Sequence, residues 1–472
     1  MKEYKIYAGG EFITSSEKIG IYNSYDHKLI AETYLADKKI LERSIQKALA
    51  IERELAELPA YTRYEILMQI ADEIKNRKAE LAEILAMEAA KPLKYAIAEI
   101  QRAYSTFVAA AEEAKRPPME FMRLDWEPTG KGKEGLVKYF PVGLVAGISP
   151  FNFPMNLAVH KIAPAIAAGC PIILKPARST PLSTLELAGI IDKTALPKGA
   201  ISILPMDRIA GNQLVTDERF KLLTFTGSPA VGWKMKTDAG KKKVVLELGG
   251  NAGVIVTKSA DIEHAVKRCI VGAFAYAGQV CIHTQRIFVA KEIINEFTKK
   301  FIEQTKALKA GPPNELSTDI TSMIDEENAQ RVEQWVSEAV SDGAKILCGG
   351  KRNNTFFEPT VMTNTKNEMK VSCQEIFGPV VILDSFEKFE DAVNKVNNSI
   401  FGLQAGVFTN NINELNYAFA NIQVGGVIHN DVSLFRVDHM PYGGVKESGL
   451  GREGVKYAML DMMEPKILVK SY

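Results

Sequence analysis

The sequence predicts an α/β chain of two doubly wound domains with an extended arm, and three observations carry that reading. Short apolar runs of strand length alternate with helical runs from about residue 142 onward, the pattern of a parallel sheet covered by helices. A second alternating block follows from about 252 to 432, which makes two sheets rather than one. The chain has 472 residues, 46% hydrophobic and 24% charged, too many for a single core and ordinary for a globular protein.

The elements follow in order. Residues 5–12 read as a strand with a Gly9-Gly10 turn into a second strand. From Asp37 the pattern turns helical, with apolar Ile40, Ile45, Leu49 and Leu55 between charges, until Pro59 stops it. A second helical run reaches Lys91-Pro92, and a third covers about 93–114. Residues 115–140 are rich in Pro, Gly and aromatics and read as an arm. Then "VGLVAGI", "PIILKP", "ISILP", "KLLTFTG" and "VVLELGG" are strands, with helices at "NLAVHKIAPAIAAG" and "TPLSTLELAGIIDKTAL". The second block supplies "RIFVA", "KILCGG", "VVILDSF" and "QAGVFT" as strands and "EENAQRVEQWVSEAVSDG" as a helix. The last ten residues form a strand-like tail.

Composition narrows the function. Net charge is +1 with no long like-charge block, so neither a nucleic-acid groove nor a polybasic membrane patch is expected. The opening "MKEYKIYAGGEF" has no apolar h-region. The longest apolar stretch, 162–174, is interrupted by Pro164, Gly169 and Pro171, short of the roughly 20 residues of a membrane helix. Five cysteines are scattered without a C-x-x-C pair, which predicts no metal site and fits a reducing cytoplasm.

Ligands of doubly wound sheets bind at the carboxyl ends of the strands, so the residues there are the candidates. Asn152 in "SPFNFP" is either a turn-forming side chain or a donor aimed at a developing oxyanion. Lys175 in "LKPAR" is either a surface lysine or a contact for a ribose or phosphate. Gly227, Ser228 and Gly232 in "FTGSPAVG" open a helix after a strand, where backbone can approach a phosphate. The G-x-G-x-x-G fingerprint is absent. Glu247 in "VLELGG" is either paired with a lysine of the adjacent "KKK" or a general base with a raised pKa. Cys281 in "AYAGQVCIHTQRI" is a buried hydrophobe, a metal ligand or a nucleophile. Together these suit a thiol that oxidises a carbonyl carbon.

"SPFNFP", "KPA", "FTGS", "LELGG", "GQVCI", "EIFGP" and "MPYGGVKESGLGREG" resemble the motifs of the aldehyde dehydrogenase superfamily, in that family's order and over nearly the whole chain. Glu247 and Cys281 are 34 residues apart, as its pattern requires. The resemblance implies the fold of that family, with an NAD(P)-binding domain at 1–115 and 141–250, a catalytic thiol domain at 251–432, and an oligomerisation arm and tail at 116–140 and 460–472. It implies that Cys281 attacks an aldehyde, that Asn152 and the Cys281 N–H hold the oxyanion, and that Glu247 activates water. Cofactor binding, of NAD or NADP, falls to Ser149, Pro150, Phe151, Lys175, Arg178, Gly211, Gly227, Ser228, Gly232, Leu248, Glu375 and Phe377. Glu247 favours hydrolysis over transfer to coenzyme A. A coenzyme A-acylating enzyme and a non-catalytic binding protein on this fold are the alternatives.

Two departures carry information. Arg178 stands where NAD-preferring relatives often have Glu, which points to NADP. Asn251 and Gly253 replace a common Lys and Pro. His160, Phe435 and Arg436, with His439 on the same loop, are expected to face a small hydrophilic aldehyde such as lactaldehyde, glyceraldehyde or a semialdehyde. The sequence looks most like the archaeal lactaldehyde dehydrogenase-like branch. Val280 stands where enzymes of phosphorylated glyceraldehyde often carry Arg, which disfavours that substrate. Arm and tail imply a homo-dimer or tetramer.

Overall fold

Strands of four or five apolar residues need both faces covered, and the chain supplies the cover from its own helices. The computed structural model describes residues 2–472. In the first sheet Lys243–Glu247, Leu222–Thr226, Val145–Ile148, Ile172–Lys175 and Ile201–Ile203 run parallel, in that spatial order. The hairpin Ile6–Ala8 and Glu11–Ile13 closes one edge antiparallel, and Gly449–Leu450 closes the other.

The order fixes where a ligand can bind. The chain moves outward from Val145–Ile148 through 172 and 201, then returns and moves outward the other way through 222 and 243. The loops leaving Ile148 and Thr226 therefore diverge, and a crevice opens at the switch point. One wall is the helix Pro154–Ala168, buried over its entire length. Pro154 occupies its first position and Gly169, at φ 83°, caps it in the left-handed region that glycine tolerates.

The second sheet runs Lys345–Cys348, Thr360–Thr363, Val380–Phe386, Thr284–Ala290, Ala252–Val256, Gln404–Phe408 and Gly426–His429, parallel except for its first edge strand. Phe274, Phe297 and Phe301 stack in its helix layer.

Three points of the structure qualify the sequence reading. The second helical run is two helices, Ala60–Asn76 and Lys78–Ala89, broken at Arg77, which pairs with Glu80 and Glu186. A helix unforeseen in the sequence, Arg208–Thr216, starts where Asp207 accepts from the Ala210 N–H. The tail is not unpaired within the chain: Met463–Ser471 bonds the arm strand Lys133–Pro141 in register over its full length, with Met119–Arg123 on the other side. No helix of the described residues is long and apolar enough to cross a membrane.

Candidate active site

The thiol sits on a strained connection. After the helix Ile262–Phe274, Tyr276 (φ 49°) and Ala277 (φ 52°) occupy the left-handed region, at a cost of roughly 1–3 kcal/mol each. Surrounding bonds fix this shape. Tyr276 Oη donates to the Ala89 carbonyl at 2.8 Å, and Gln279 Oε1 accepts from the Ile324 N–H at 2.9 Å. Gly250 lies against the loop so closely that a Cβ would fall 2.1 Å from the Cys281 carbonyl oxygen. Cys281 Sγ is 3.0 Å from Tyr442 Oη. Burial pushes the thiol up to about 12, and the Tyr442 hydroxyl pulls the other way. The Cys281 N–H makes no backbone hydrogen bond.

Asn152 comes to the same place from the other sheet. One hydrogen of its amide goes to the Gln279 carbonyl at 2.9 Å. A primary amide has two, which leaves one for a ligand. Its own carbonyl accepts from Lys91 Nζ at 2.5 Å. Lys91 is wholly buried, paired with Glu99 and seated against the rings of Phe153 and Tyr276 at 3.8 and 4.4 Å. Glu99 in turn accepts from the N–H groups of Met155 and Asn156 at the start of the buried helix.

Glu247 is not in the ion pair that its neighbours could supply. Lys243 turns to Glu464 at 2.7 Å, and both carboxylate oxygens of Glu247 are buried without a hydrogen-bond partner. Burial raises its pKa well above the ordinary value, and the charge of Glu453 adds to the effect. A buried polar group left unpaired costs about 1–3 kcal/mol, so this arrangement is not there for stability.

A cleft of about 420 Å³ joins these groups. Asn152, Glu247 and Cys281 line it with Pro150, Phe151, Gly227, Ser228, Leu248, Glu375 and Phe377. Phe151 and Phe377 meet edge to face, centroids 5.9 Å apart. Glu375 accepts from the Gly250 N–H at 2.9 Å, and burial raises its carboxyl to about 7. Gly249 has no room for a side chain, since a Cβ would lie 2.4 Å from Glu375 Oε2. Gly232 is buried under Leu248, and Gly211 lies on the unforeseen helix beneath the Lys175 stem. Ser149 is buried with its hydroxyl unpartnered. Arg331 and Trp335, which the sequence did not single out, stack on the far side of the cleft at 4.9 Å.

A dinucleotide fits this wall. The Lys175 ammonium is mostly buried, which lowers its pKa, and only the charge of Asp207 draws it. The helix Pro229–Asp238 begins at Ser228 without a side-chain cap, so its first N–H groups are open to a phosphate. Arg178 sits apart from the residues that line the Cys281 cleft. It is exposed and lines a separate groove with Tyr22, Asn23, His27 and Asp325.

Beside Tyr442 and Glu247 lies a closed web of charges. Asp438 accepts from His160 Nε2 and Arg102 at 2.8 Å each and from Asn156 at 3.4 Å. Glu453 accepts from Lys161 at 3.1 Å and Arg436 at 3.0 Å. Burial would raise Glu453, but Lys161 and Arg436 hold it at about 2. Arg436 lies over the Tyr442 ring at 3.6 Å. The substrate expectations are therefore corrected in part. His160 is wholly buried rather than open to a tunnel, burial and Arg436 lower its pKa, and its Nδ1 is unpartnered. Phe435 is exposed. His439 faces another groove, beside Tyr104 and Arg116. Lys91, Arg102, Lys161, Asp438, Tyr442 and Glu453 were not foreseen. Lys161 carried a signal, as a charge inside the apolar run "NLAVHKIAPAIAAG". Among the described residues no group of three His, Cys, Asp or Glu could hold a metal.

The model of the Aldehyde dehydrogenase family matches residues 12–468. The chain is 43% identical to the 3-sulfolactaldehyde dehydrogenase of Priestia aryabhattai, over 99% of this chain and 98% of that one. It is 39% identical to the lactaldehyde dehydrogenase of Methanocaldococcus jannaschii, over 99% and 100%. Among solved structures, aldehyde dehydrogenase 21 of Physcomitrella patens, in complex with its reaction product succinate, superposes with a TM-score of 0.98 at 46% identity, covering 100% of this chain and 98% of that one.

Proposed function

The chain belongs to the aldehyde dehydrogenase family and is an NAD(P)+-dependent aldehyde dehydrogenase, and from that premise we propose that it oxidises a small aldehyde with a second, anionic group to the free acid. The observation that carries hydrolysis is Glu247, an unpaired buried carboxyl lining the same cleft as Cys281. Cys281 loses its proton and adds as thiolate to the aldehyde carbon. The free amide hydrogen of Asn152 and the Cys281 N–H hold the oxygen that becomes negative. The bound nucleotide supplies the hydride acceptor. Lys175, the N-terminus of Pro229–Asp238, Glu375 and Phe377 would hold that nucleotide, and loss of the hydride would leave an acyl group on Cys281. Glu247, once ionised, takes a proton from water, which releases the acid.

The charge balance supports an anionic substrate. Arg102, Lys161 and Arg436 are three cations around Asp438 and Glu453, while Glu247 is held toward its neutral form. One positive charge is left over, and Arg102 keeps 27% of its side chain exposed. A single carboxylate or sulfonate matches it. The expected preference is for succinic semialdehyde or 3-sulfolactaldehyde over lactaldehyde and over an uncharged aldehyde of equal length. NADP+ use would come from Arg178 turning toward the nucleotide, and the arm sheet would join subunits of a homo-dimer or tetramer in a reducing cytoplasm.

The test is a panel of these aldehydes with NAD+ or NADP+ and no coenzyme A. Free acid should form, and kcat/KM should be higher for the anionic members by about 10-fold or more, a charge-assisted contact of ~1.4 kcal/mol. A strict need for coenzyme A would overturn the hydrolytic reading, and equal kcat/KM for charged and neutral aldehydes would overturn the anionic one.

A further inference from the structure

We propose that Tyr442 is a catalytic residue, whose hydroxyl donates to the Cys281 thiolate both when the sulfur attacks and when it leaves the acyl group. This rests on the reading of Cys281 as the nucleophile and adds a group to which that reading gave no part.

The geometry is direct. Tyr442 Oη lies 3.0 Å from Cys281 Sγ, within the reach of an O–H···S bond. Tyr442 is 3% exposed and packs with Val280, Ile282 and Leu403, so water does not compete for its hydroxyl. No other protein group bonds that hydroxyl. The sulfur likewise has no other hydrogen-bond partner, and no histidine is bonded to it. A buried thiolate without a donor is costly, and Tyr442 is the donor the fold provides.

Arg436 completes the arrangement. Its guanidinium lies 3.6 Å from the centre of the Tyr442 ring, held there by Glu453. A cation on the ring face draws electron density from the phenol, which strengthens its O–H as a donor. Glu375 and Glu247 oppose thiolate formation to the extent that they are ionised, and Arg436 favours it. Burial and the neighbouring Cys281 hold the phenol's own pKa well above its usual value, so Tyr442 keeps its proton while the thiol loses one.

The proton balance is simple. The S–H bond breaks and its proton passes to water in the cleft. The Tyr442 O–H bond never breaks. After the sulfur bonds to carbon it carries no charge and the contact weakens. When water has added and the C–S bond breaks, its electron pair returns to sulfur and the contact is restored.

The test is the pH dependence of Cys281 alkylation by iodoacetamide in the full-length enzyme, for the native protein and Tyr442→Phe, which keeps the ring and removes only the donor. The midpoint should rise by about one pH unit, with alkylation at neutral pH slowed ~10-fold, since one unit is a tenfold change in thiolate fraction. A second variant carries 3,5-difluorotyrosine at position 442, a more acidic phenol, and its midpoint should move down. Thermal melting and nucleotide titration verify that both variants are folded. An unchanged midpoint in folded Tyr442→Phe overturns the proposal alone, provided alkylation of Cys281 still abolishes turnover. Alkylation that leaves turnover intact overturns the nucleophile assignment, and the proposal with it.

Discussion

Two walls meet at Cys281 and are built on opposite principles. On the wall of Phe151, Glu247, Glu375 and Lys175 the polar groups are left without full protein partners: both Glu247 oxygens are orphaned and Lys175 forms no ion pair. On the wall of His160, Arg436, Asp438 and Glu453 almost every charge is matched, with Asp438 alone accepting from three side chains. Buried polar groups are normally satisfied. An unsatisfied wall is what groups reserved for ligands and reacting atoms would leave, while the satisfied wall is a frame whose small surplus of charge is the proposed source of preference for an anionic substrate. The predictions either break this contrast or sharpen it.

The largest effect belongs to the thiol. Cys281→Ser should lower turnover by ~10⁴-fold or more and leave nucleotide binding intact, as measured by fluorescence titration, because serine lacks an efficient activating base here. Activity within tenfold of native would remove Cys281 from the chemistry.

Glu247→Gln should cost ~10²–10⁴-fold in the steady-state rate, the range for a lost general base. In the native enzyme kcat should fall on the acid side at a pH well above the ordinary glutamate range, because the raised carboxyl of Glu247 must ionise to act. The same change should raise stability. In the unfolded chain Glu247 ionises at its ordinary pKa, while the folded one keeps its proton to higher pH. Its contribution to stability is thus full below the unfolded value and lost progressively as pH rises from there through the folded value. Gln does not titrate, so the melting advantage of Glu247→Gln should grow from pH 5 to 8 in a calorimetric series. A variant less stable than native at pH 8 would show that Glu247 is satisfied after all.

Lys91→Met should break the frame rather than the chemistry. It leaves Glu99 buried and unpaired, at a cost of about 3–5 kcal/mol, and frees the Asn152 carbonyl. Denaturant titration should show that loss, with kcat falling further than nucleotide affinity. Unchanged stability would mean that the Lys91–Glu99 pair is not part of the scaffold.

The smallest effect is at the rim. Arg178 is exposed and lines a separate groove, so its reach to a 2′-phosphate needs a rotamer change. Arg178→Glu should raise the NADP+ KM by about tenfold, or ~1.4 kcal/mol. An unchanged NADP+/NAD+ ratio would leave it as a solvated side chain.

The same contrast explains what could be read from the sequence. The reserved wall was readable because its residues sit next to strand ends and beside glycines that a close approach requires, as with Glu247 before Gly249 and Gly250. Asn152 likewise follows a strand end, while Cys281 stood out as the nucleophile only through the resemblance. The frame was not readable. Asp438, Glu453 and Lys161 are far apart in the chain and meet only because the helix Pro154–Ala168 packs beneath the loop 433–453. No spacing rule encodes a partner so distant. Lys91 looked like a helix end before Pro92, and its burial against Phe153 and Tyr276 depends on both sheets. The helix Arg208–Thr216 that carries Gly211 was hidden because it is short and buries only Ala210, Gly211, Leu214 and Val215, too weak a period to stand out. Nothing local in the sequence reveals that Asp438 covers His160.

The division of labour between Cys281 and Glu247 is tested most directly by trapping the acyl enzyme. Glu247→Gln is mixed with aldehyde and NAD(P)+, quenched in acid within the first turnover, and its mass measured intact and after proteolysis. The account predicts a burst of about one reduced nucleotide per active site, a mass increase equal to the acyl group, and the adduct on the peptide carrying Cys281. A Glu247→Gln enzyme that turns over at the native rate with no adduct, or an adduct on any other residue, would contradict it.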